Sequence, residues 1–154
     1  MLSAEQHLQI ADELIAADAS KELLPILTGR YPGMVVDDSY AVQRAWTERK
    51  LAEGRRVVGR KIGLTSKVMQ VATGITEPDY GVILDDMVIE SGSVIDFDRF
   101  SNVRIEVELA FVLAKPLTGP HTTIFDVLDA TAYVVPALEI LNSHLVMEGR
   151  TIVD

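Results

Sequence analysis

The stretch "RIEVELAFVL", residues 104–113, restricts the fold more than any other part of the chain. Apolar and polar residues alternate along it with a period of two, which only an extended strand turns into two distinct faces. Ile105, Val107, Leu109, Phe111 and Leu113 fall on one face and are expected to form core. Arg104, Glu106, Glu108, Ala110 and Val112 fall on the other. Glu106 and Glu108 then point the same way, roughly 6.5 Å apart along the strand. Two ionised carboxylates that close repel each other unless a cation lies between them. A hard divalent ion held by carboxylate oxygens is one such cation. A solvent-facing strand side, with Arg104 and other cations as partners, accounts for the same pattern, and exposed glutamate is common.

Three further residues carry chemical interest. Glu139 is a lone carboxylate in the apolar run "VVPALEILNS". Buried there, it must be ion-paired, protonated or metal-bound. Meeting Glu106 and Glu108, it would complete an all-carboxylate set of the kind Mg²⁺ or Mn²⁺ prefers; an ion pair with Arg104 or Arg60 is the structural alternative. Lys61 lies in "RVVGRKIGL", where Val57, Gly59, Lys61 and Gly63 are expected on one strand face. Glycines on both sides leave room around the lysine stem, as for an acid/base group, although a surface lysine beside a glycine bulge reads the same way. Asp79 follows a proline in "EPDYG" and is either a turn-forming side chain or a carboxylate delivered by a rigid loop. His7, His121 and His144 lack ligand spacing and read as surface or loop residues. Met69, Met87 and Met147 read as packing residues.

Around these residues the order of elements is α+β. Residues 3–19 have helical periodicity, with Ser3 as N-cap and Leu8, Ala11, Leu14 and Ile15 inward. "TGRYPGM" is a turn or loop. A second helix runs from Asp37 or Asp38, either of which can cap it, to Gly54, with Val42, Ala45 and Trp46 inward. Strands are expected over 56–64, Val82–Leu84, Val88–Glu90, Ser93–Ile95, 104–113 and 132–141, with Pro136 marking an edge or irregularity in the last. Short helices are expected over "TSKVMQVATG", ending at Gly74, and "TTIFDVLDAT", capped by Thr122 or Thr123. Residues 1–55 thus form a helical region, and 56–154 the first part of a β-rich catalytic region with a mostly antiparallel or mixed sheet, all in one domain.

The 154 residues carry a net charge of −9 and no basic cluster, which disfavours a nucleic-acid partner. There is no cysteine, so disulfides, thiolate metal sites and a cysteine nucleophile are excluded. No signal peptide and no apolar run of membrane-spanning length is visible, and a soluble cytoplasmic protein is expected.

Taken together, "GRKIGLTSKVMQ", "EPDYGVILDDM", "RIEVELAFVLAKPL" and "VVPALEILNS" resemble, in order, the 2-keto-4-pentenoate hydratase group of the fumarylacetoacetate hydrolase superfamily, which includes 2-oxo-hept-4-ene-1,7-dioate hydratases and 4-oxalocrotonate decarboxylases. The resemblance runs from about Asp38 onward. It implies part of a mixed-sheet β-roll, a homo-oligomer, and a small-molecule 2-oxo acid substrate from aromatic-compound degradation. It implies Glu106, Glu108 and Glu139 as ligands of Mg²⁺ or Mn²⁺, with Lys61 and Asp79 in acid/base and substrate-positioning roles. The implied reaction is hydration of a 2-hydroxy-2,4-dienoate to a 4-hydroxy-2-oxo acid. Decarboxylation of a 2-oxo-enedioate is the alternative on the same site. Family chains continue past the equivalent of Asp154, so a truncated chain lacking the C-terminal part of the β-roll is also expected. That leaves a third reading, an inactive fragment that serves only in assembly.

Overall fold

The computed structural model describes residues 1–73 and 75–154, and the expected helix stop at Gly74 lies outside the described residues. The chain divides into two compact units, residues 1–101 with 143–154, and residues 102–142.

The first unit is built on two helices, α1 (Ala4–Ser20) and α3 (Val36–Ala52), with a single turn of helix, α2 (Leu27–Arg30), between them. Ser3 caps α1 as expected. Its hydroxyl accepts from the Gln6 N–H at 3.2 Å, and Gln6 Oε1 accepts from the Ser3 N–H at 2.8 Å, so two orphan donors of the first turn are satisfied reciprocally. Gly54 ends α3 at a φ of 92°. The Gly54 N–H bonds the Leu51 carbonyl at 3.0 Å and the Arg55 N–H bonds that of Lys50 at 3.1 Å, a Schellman closure that a side chain at residue 54 would strain. The start of α3 differs from expectation: the helix begins at Val36, ahead of both aspartates.

Burial selects Ile10, Ala11 and Ala17 on α1, with Leu14 packed alongside, while Leu8 is left in solvent. The inward seam is therefore rotated from the one expected through Leu8. Ile10 and Ala11 meet Val42 and Ala45 of α3, together with Leu27, Met34 and Leu145. Residues 143–154 belong to this unit. Leu24 and Leu145 form a parallel bridge, and the Thr28 N–H donates to Asp154 Oδ1 at 2.7 Å. Exposed ion pairs, Arg49–Asp12 at 2.8 Å and Arg30–Glu13 at 2.6 Å, link the elements around the rim.

Strands β1 (Val57–Gly63) and β2 (Asp79–Leu84) form an antiparallel ribbon in the same unit, with α4 (Lys67–Thr73) in the connection. The register shifts between Val57 and Gly59, so Val57 leaves the face that Gly59, Lys61 and Gly63 share. Leu84 is fully buried. The strands expected at 88–90 and 93–95 do not form; these residues are loop and turn between 3₁₀ turns at Asp85–Met87 and Phe97–Arg99. Met69, Met87 and Met147 are largely exposed, contrary to the packing role expected of them.

The second unit is a long antiparallel ribbon of β3 (Val103–Leu113) and β4 (Thr131–Asn142), with α5 (Ile124–Ala130) in the connection. Thr123 caps α5 in a reciprocal pair with Asp126. The Ala114 N–H bonds the Ala130 carbonyl at 2.8 Å, and Lys115 pairs with Asp129 at 2.8 Å. Pro136 pairs with Leu109 on a strand that has no second ladder partner among the described residues, the edge position expected for it. The α+β class thus holds. Among the described residues the β structure is two separate two-stranded antiparallel ribbons, one in each unit. The face expected to be core, Ile105 to Leu113, is open: Val107 is 81% exposed and Leu138, opposite it, 66%. Within this unit no second layer lies against it.

Candidate metal centre

The register of β3 and β4 decides which carboxylates meet. Glu106 pairs directly with Glu139, and Glu108 pairs with Ala137. Paired residues of an antiparallel ladder project to the same face, and so do residues two apart on one strand. Glu106, Glu108 and Glu139 therefore share one face of the second unit, opposite the apolar face. Ala137, the small residue across from Glu108, adds little bulk between the acids. One carboxylate oxygen from each of the three lies within 4.8 Å of the others. Glu106 is exposed and Glu139 half-buried.

The donor set suits a hard divalent cation. All three ligands are carboxylate oxygens, the donors Mg²⁺ and Mn²⁺ favour. An octahedral Mg²⁺ site has ligands at about 2.1 Å, so its oxygens lie up to about 4.2 Å apart. The three oxygens lie within 4.8 Å of one another, so holding one ion would take side-chain rotations that draw them closer. Three protein ligands leave half of an octahedron for water or substrate. Like charges directly opposite on a ladder destabilise it, and a cation would reverse that.

Lys61 and Asp79 are in the first unit. Lys61 pairs with Gly81 and Asp79 with Gly63, so the two side chains rise from one face of the β1–β2 ribbon as diagonal neighbours. Such positions are about 7–8 Å apart along the backbone. Both residues are half-buried. Asp79 is the first residue of β2, not part of a turn as its Pro-containing context suggested. Helix α3 braces this strand: Tyr40 stacks on Tyr80 with centroids 4.6 Å apart, and Gln43 Nε2 donates to the Tyr80 carbonyl at 3.1 Å.

His121 and His144 lie outside helices and strands, as expected, whereas His7 is on α1; both His7 and His144 are held by aspartates. His144 Nε2 is 3.0 Å from Asp18 Oδ1, and His7 Nε2 is 2.9 Å from Asp38 Oδ1. Asp38, 2% exposed, also accepts from the backbone N–H groups of Leu2 at 2.9 Å and Val35 at 3.0 Å. Burial pushes its carboxyl upward, but the bonds from His7, Leu2 and Val35 and the charge of the N-terminus outweigh it and hold the pKa at about 2. Asp38 therefore reaches back from inside the first turn of α3 and ties that turn to the start of α1. The only sequence signal for it was an acidic residue near a helix start.

Comparison with known proteins adds to this geometry. No protein-family model matches the chain. It is 52% identical to a 2-oxo-hept-4-ene-1,7-dioate hydratase of Escherichia coli over 144 residues, which are 94% of this chain and 54% of that protein. It is 41% identical to a 2-keto-4-pentenoate hydratase of Paraburkholderia xenovorans over the same share of each. Its fold superposes with a TM-score of 0.92, at 31% identity, on a 4-oxalocrotonate decarboxylase of Pseudomonas putida G7 solved with magnesium and adipate. That match covers 99% of this chain and 58% of the decarboxylase. The chain spans about half the length of the curated relatives it matches. No helix among the described residues is long and apolar enough to cross a membrane.

Proposed function

We propose that this chain, akin over its matched length to the 2-keto-4-pentenoate hydratase group, carries the metal-ligating part of a hydratase acting on 2-hydroxy-2,4-dienoates of the 2-oxo-hept-4-ene-1,7-dioate type. The observation that carries this reading is the carboxylate trio of Glu106, Glu108 and Glu139 on one ribbon face. These three residues would hold Mg²⁺ or Mn²⁺. A divalent ion there supplies Lewis acidity toward the carboxylate and 2-oxo oxygens of the substrate. The frame we infer is part of a β-roll of the fumarylacetoacetate hydrolase type.

Lys61 and Asp79 are the acid/base pair in this reading. Hydration needs a proton at C5 of the dienol, which converts it to the conjugated enone. It then needs water oxygen at C4 and a proton at C3, giving the 4-hydroxy-2-oxo acid. An ammonium and a carboxylate side by side offer one group that gives a proton and one that takes it. Lys61 would deliver the proton at C5 as the 2-hydroxyl proton leaves to solvent, and Asp79 would take a proton from the attacking water and return it at C3.

Metal titration tests the site. Mg²⁺ should raise the thermal midpoint of the wild-type chain, and Glu106→Gln or Glu139→Gln should weaken binding by more than the roughly 10–100-fold typical of second-shell changes. Equal Mg²⁺ response in all three proteins would sink the assignment. Decarboxylation of a 2-oxo-enedioate is the second reading, favoured by the close superposition on the Pseudomonas decarboxylase. Products from a 2-hydroxy-2,4-dienedioate separate the two: a hydrated acid retaining all carbons supports hydratase, and release of CO₂ supports decarboxylase. No turnover by this chain, where a full-length relative turns over, would leave the assembly role as the standing alternative.

A further inference from the structure

The β1–β2 ribbon carries three glycines on the face that bears Lys61 and Asp79: Gly59, Gly63 and Gly81. None is at a turn and none has a positive φ. Glycine in a strand interior weakens it, so their presence on this face calls for a reason in packing. Two of the three have one. A Cβ built on Gly63 would collide with Asp79 Oδ1 and lie 3.1 Å from Asp79 Cγ. A Cβ on Gly81 would lie 3.1 Å from Lys61 Cγ and 3.4 Å from its Cδ. Gly59, by contrast, would meet only Ile83, at 3.6 Å, an ordinary contact. The Asp79 carboxylate therefore lies flat across the ladder onto the backbone of its partner residue, and the lysine stem lies across the other strand in the same manner.

We infer that Gly63 and Gly81 are positioning residues: by lacking side chains they let the Asp79 carboxylate and the Lys61 stem cross the ribbon on one face, which sets the direction in which both functional groups point. Gly63 is the more demanding of the two. Its conflict is with a short carboxylate attached one carbon from the backbone, which has few rotamers by which to escape. Gly81 faces the flexible middle of a lysine, which can shift by a few tenths of an ångström. The inference rests on the acid/base roles proposed above for its functional meaning, whereas its geometric part stands without them.

The experiment compares Gly63→Ala, Gly81→Ala and the control Gly59→Ala in the full 154-residue chain, with Asp79→Ala and the double variant Gly63→Ala/Asp79→Ala. The first readout is pH titration of the Asp79 side-chain carboxyl carbon by NMR. Gly63→Ala should move its midpoint, and Gly59→Ala should leave it where it is. The second is thermal melting. Gly63→Ala should lower the midpoint when Asp79 is present and have little effect beside Asp79→Ala, because removing the carboxylate removes the collision. Should Gly63→Ala fold only in the Asp79→Ala background, that rescue carries the same meaning. The third readout is turnover of a 2-hydroxy-2,4-dienoate. Gly63→Ala should cut kcat about 100-fold with KM little changed, the cost expected of an acid/base group displaced by about 1 Å. Gly81→Ala should fold and show a smaller loss. An unmoved Asp79 titration, or an equal loss of stability in both backgrounds, overturns the inference. Absence of turnover in the wild type, together with the expected titration and rescue, supports the positioning and removes the hydratase reading.

Discussion

Asp38 in the first unit and the Glu106–Glu108–Glu139 group in the second hold acidic side chains in opposite ways. Asp38 is enclosed by donors: two backbone N–H groups and the His7 ring satisfy a carboxylate that is almost wholly buried. The glutamates instead gather like charges, with one oxygen from each within 4.8 Å of the others. The first arrangement lowers the energy of the folded chain as it stands. The second sets like charges close together, a repulsion that a bound cation would offset. The same contrast extends to apolar residues. Ile10 and Ala11 are fully covered within their own unit, while Val107 and Leu138 face outward in theirs. The helical part of the first unit thus closes over its apolar and acidic groups, whereas the ribbon of the second leaves an apolar face open.

The comparison breaks most visibly at Asp38. Asp38→Ala leaves three donors unsatisfied in a closed site, and the thermal midpoint should fall on the order of 10 °C. A fall no larger than that of an exposed aspartate such as Asp12 would mean that the donors find water instead. Next in size is the apolar contrast. Ile10→Ala should cost about 2–5 kcal/mol in denaturant melts. Leu109→Ala, on the open face, should cost under about 1 kcal/mol; a cost equal to that of Ile10 would show that the face is covered in solution.

A pH series sharpens the picture further. The Asp38 carboxyl titrates at 3.8 when unperturbed and at about 2 when folded. The folded state thus holds fewer protons than the unfolded chain between these values, and stability falls on acidification. The contribution of Asp38 is complete above about pH 4 and lost as pH drops toward 2. Asp38→Asn should flatten the stability curve in that window, and an unchanged acid limb would argue against the assigned contacts. Smallest of all is the metal-free effect of Glu106→Gln. Relief of repulsion should leave stability within about 0.5 kcal/mol of wild type or slightly above it. A clear loss without metal would mean that Glu106 forms a stabilising ion pair and does not await a cation.

Much of this was legible in the sequence where the signal is local. Period-two alternation fixed the faces of β3, and Glu106 and Glu108 share one for that reason alone. Ser3, Thr123 and Gly54 marked helix ends, because capping chemistry acts over three or four residues. The order of helices and strands gave the α+β class. Local reading failed where a choice depended on distant partners. The seam of α1 through Ile10 in place of Leu8 was decided by Val42 and Met34. His7 and His144 were drawn inward by aspartates 31 and 126 residues away. The first turn of α3 was closed by Asp38 from within, not from its cap.

What the sequence determined by itself was the set of candidate groups: three glutamates, a lysine between glycines, and an aspartate after a proline. Only the tertiary structure decided which of them meet. Glu139 is 31 positions from Glu108, and nothing local says which residue it will face; the ladder register places it opposite Glu106, and a slip of one residue would have turned it to the other face. Likewise, the glycines at 63 and 81 announced only space. The pairing of Gly63 with Asp79 and of Gly81 with Lys61 shows what fills that space, because cross-strand neighbours are set by hydrogen-bond register and not by proximity in the chain.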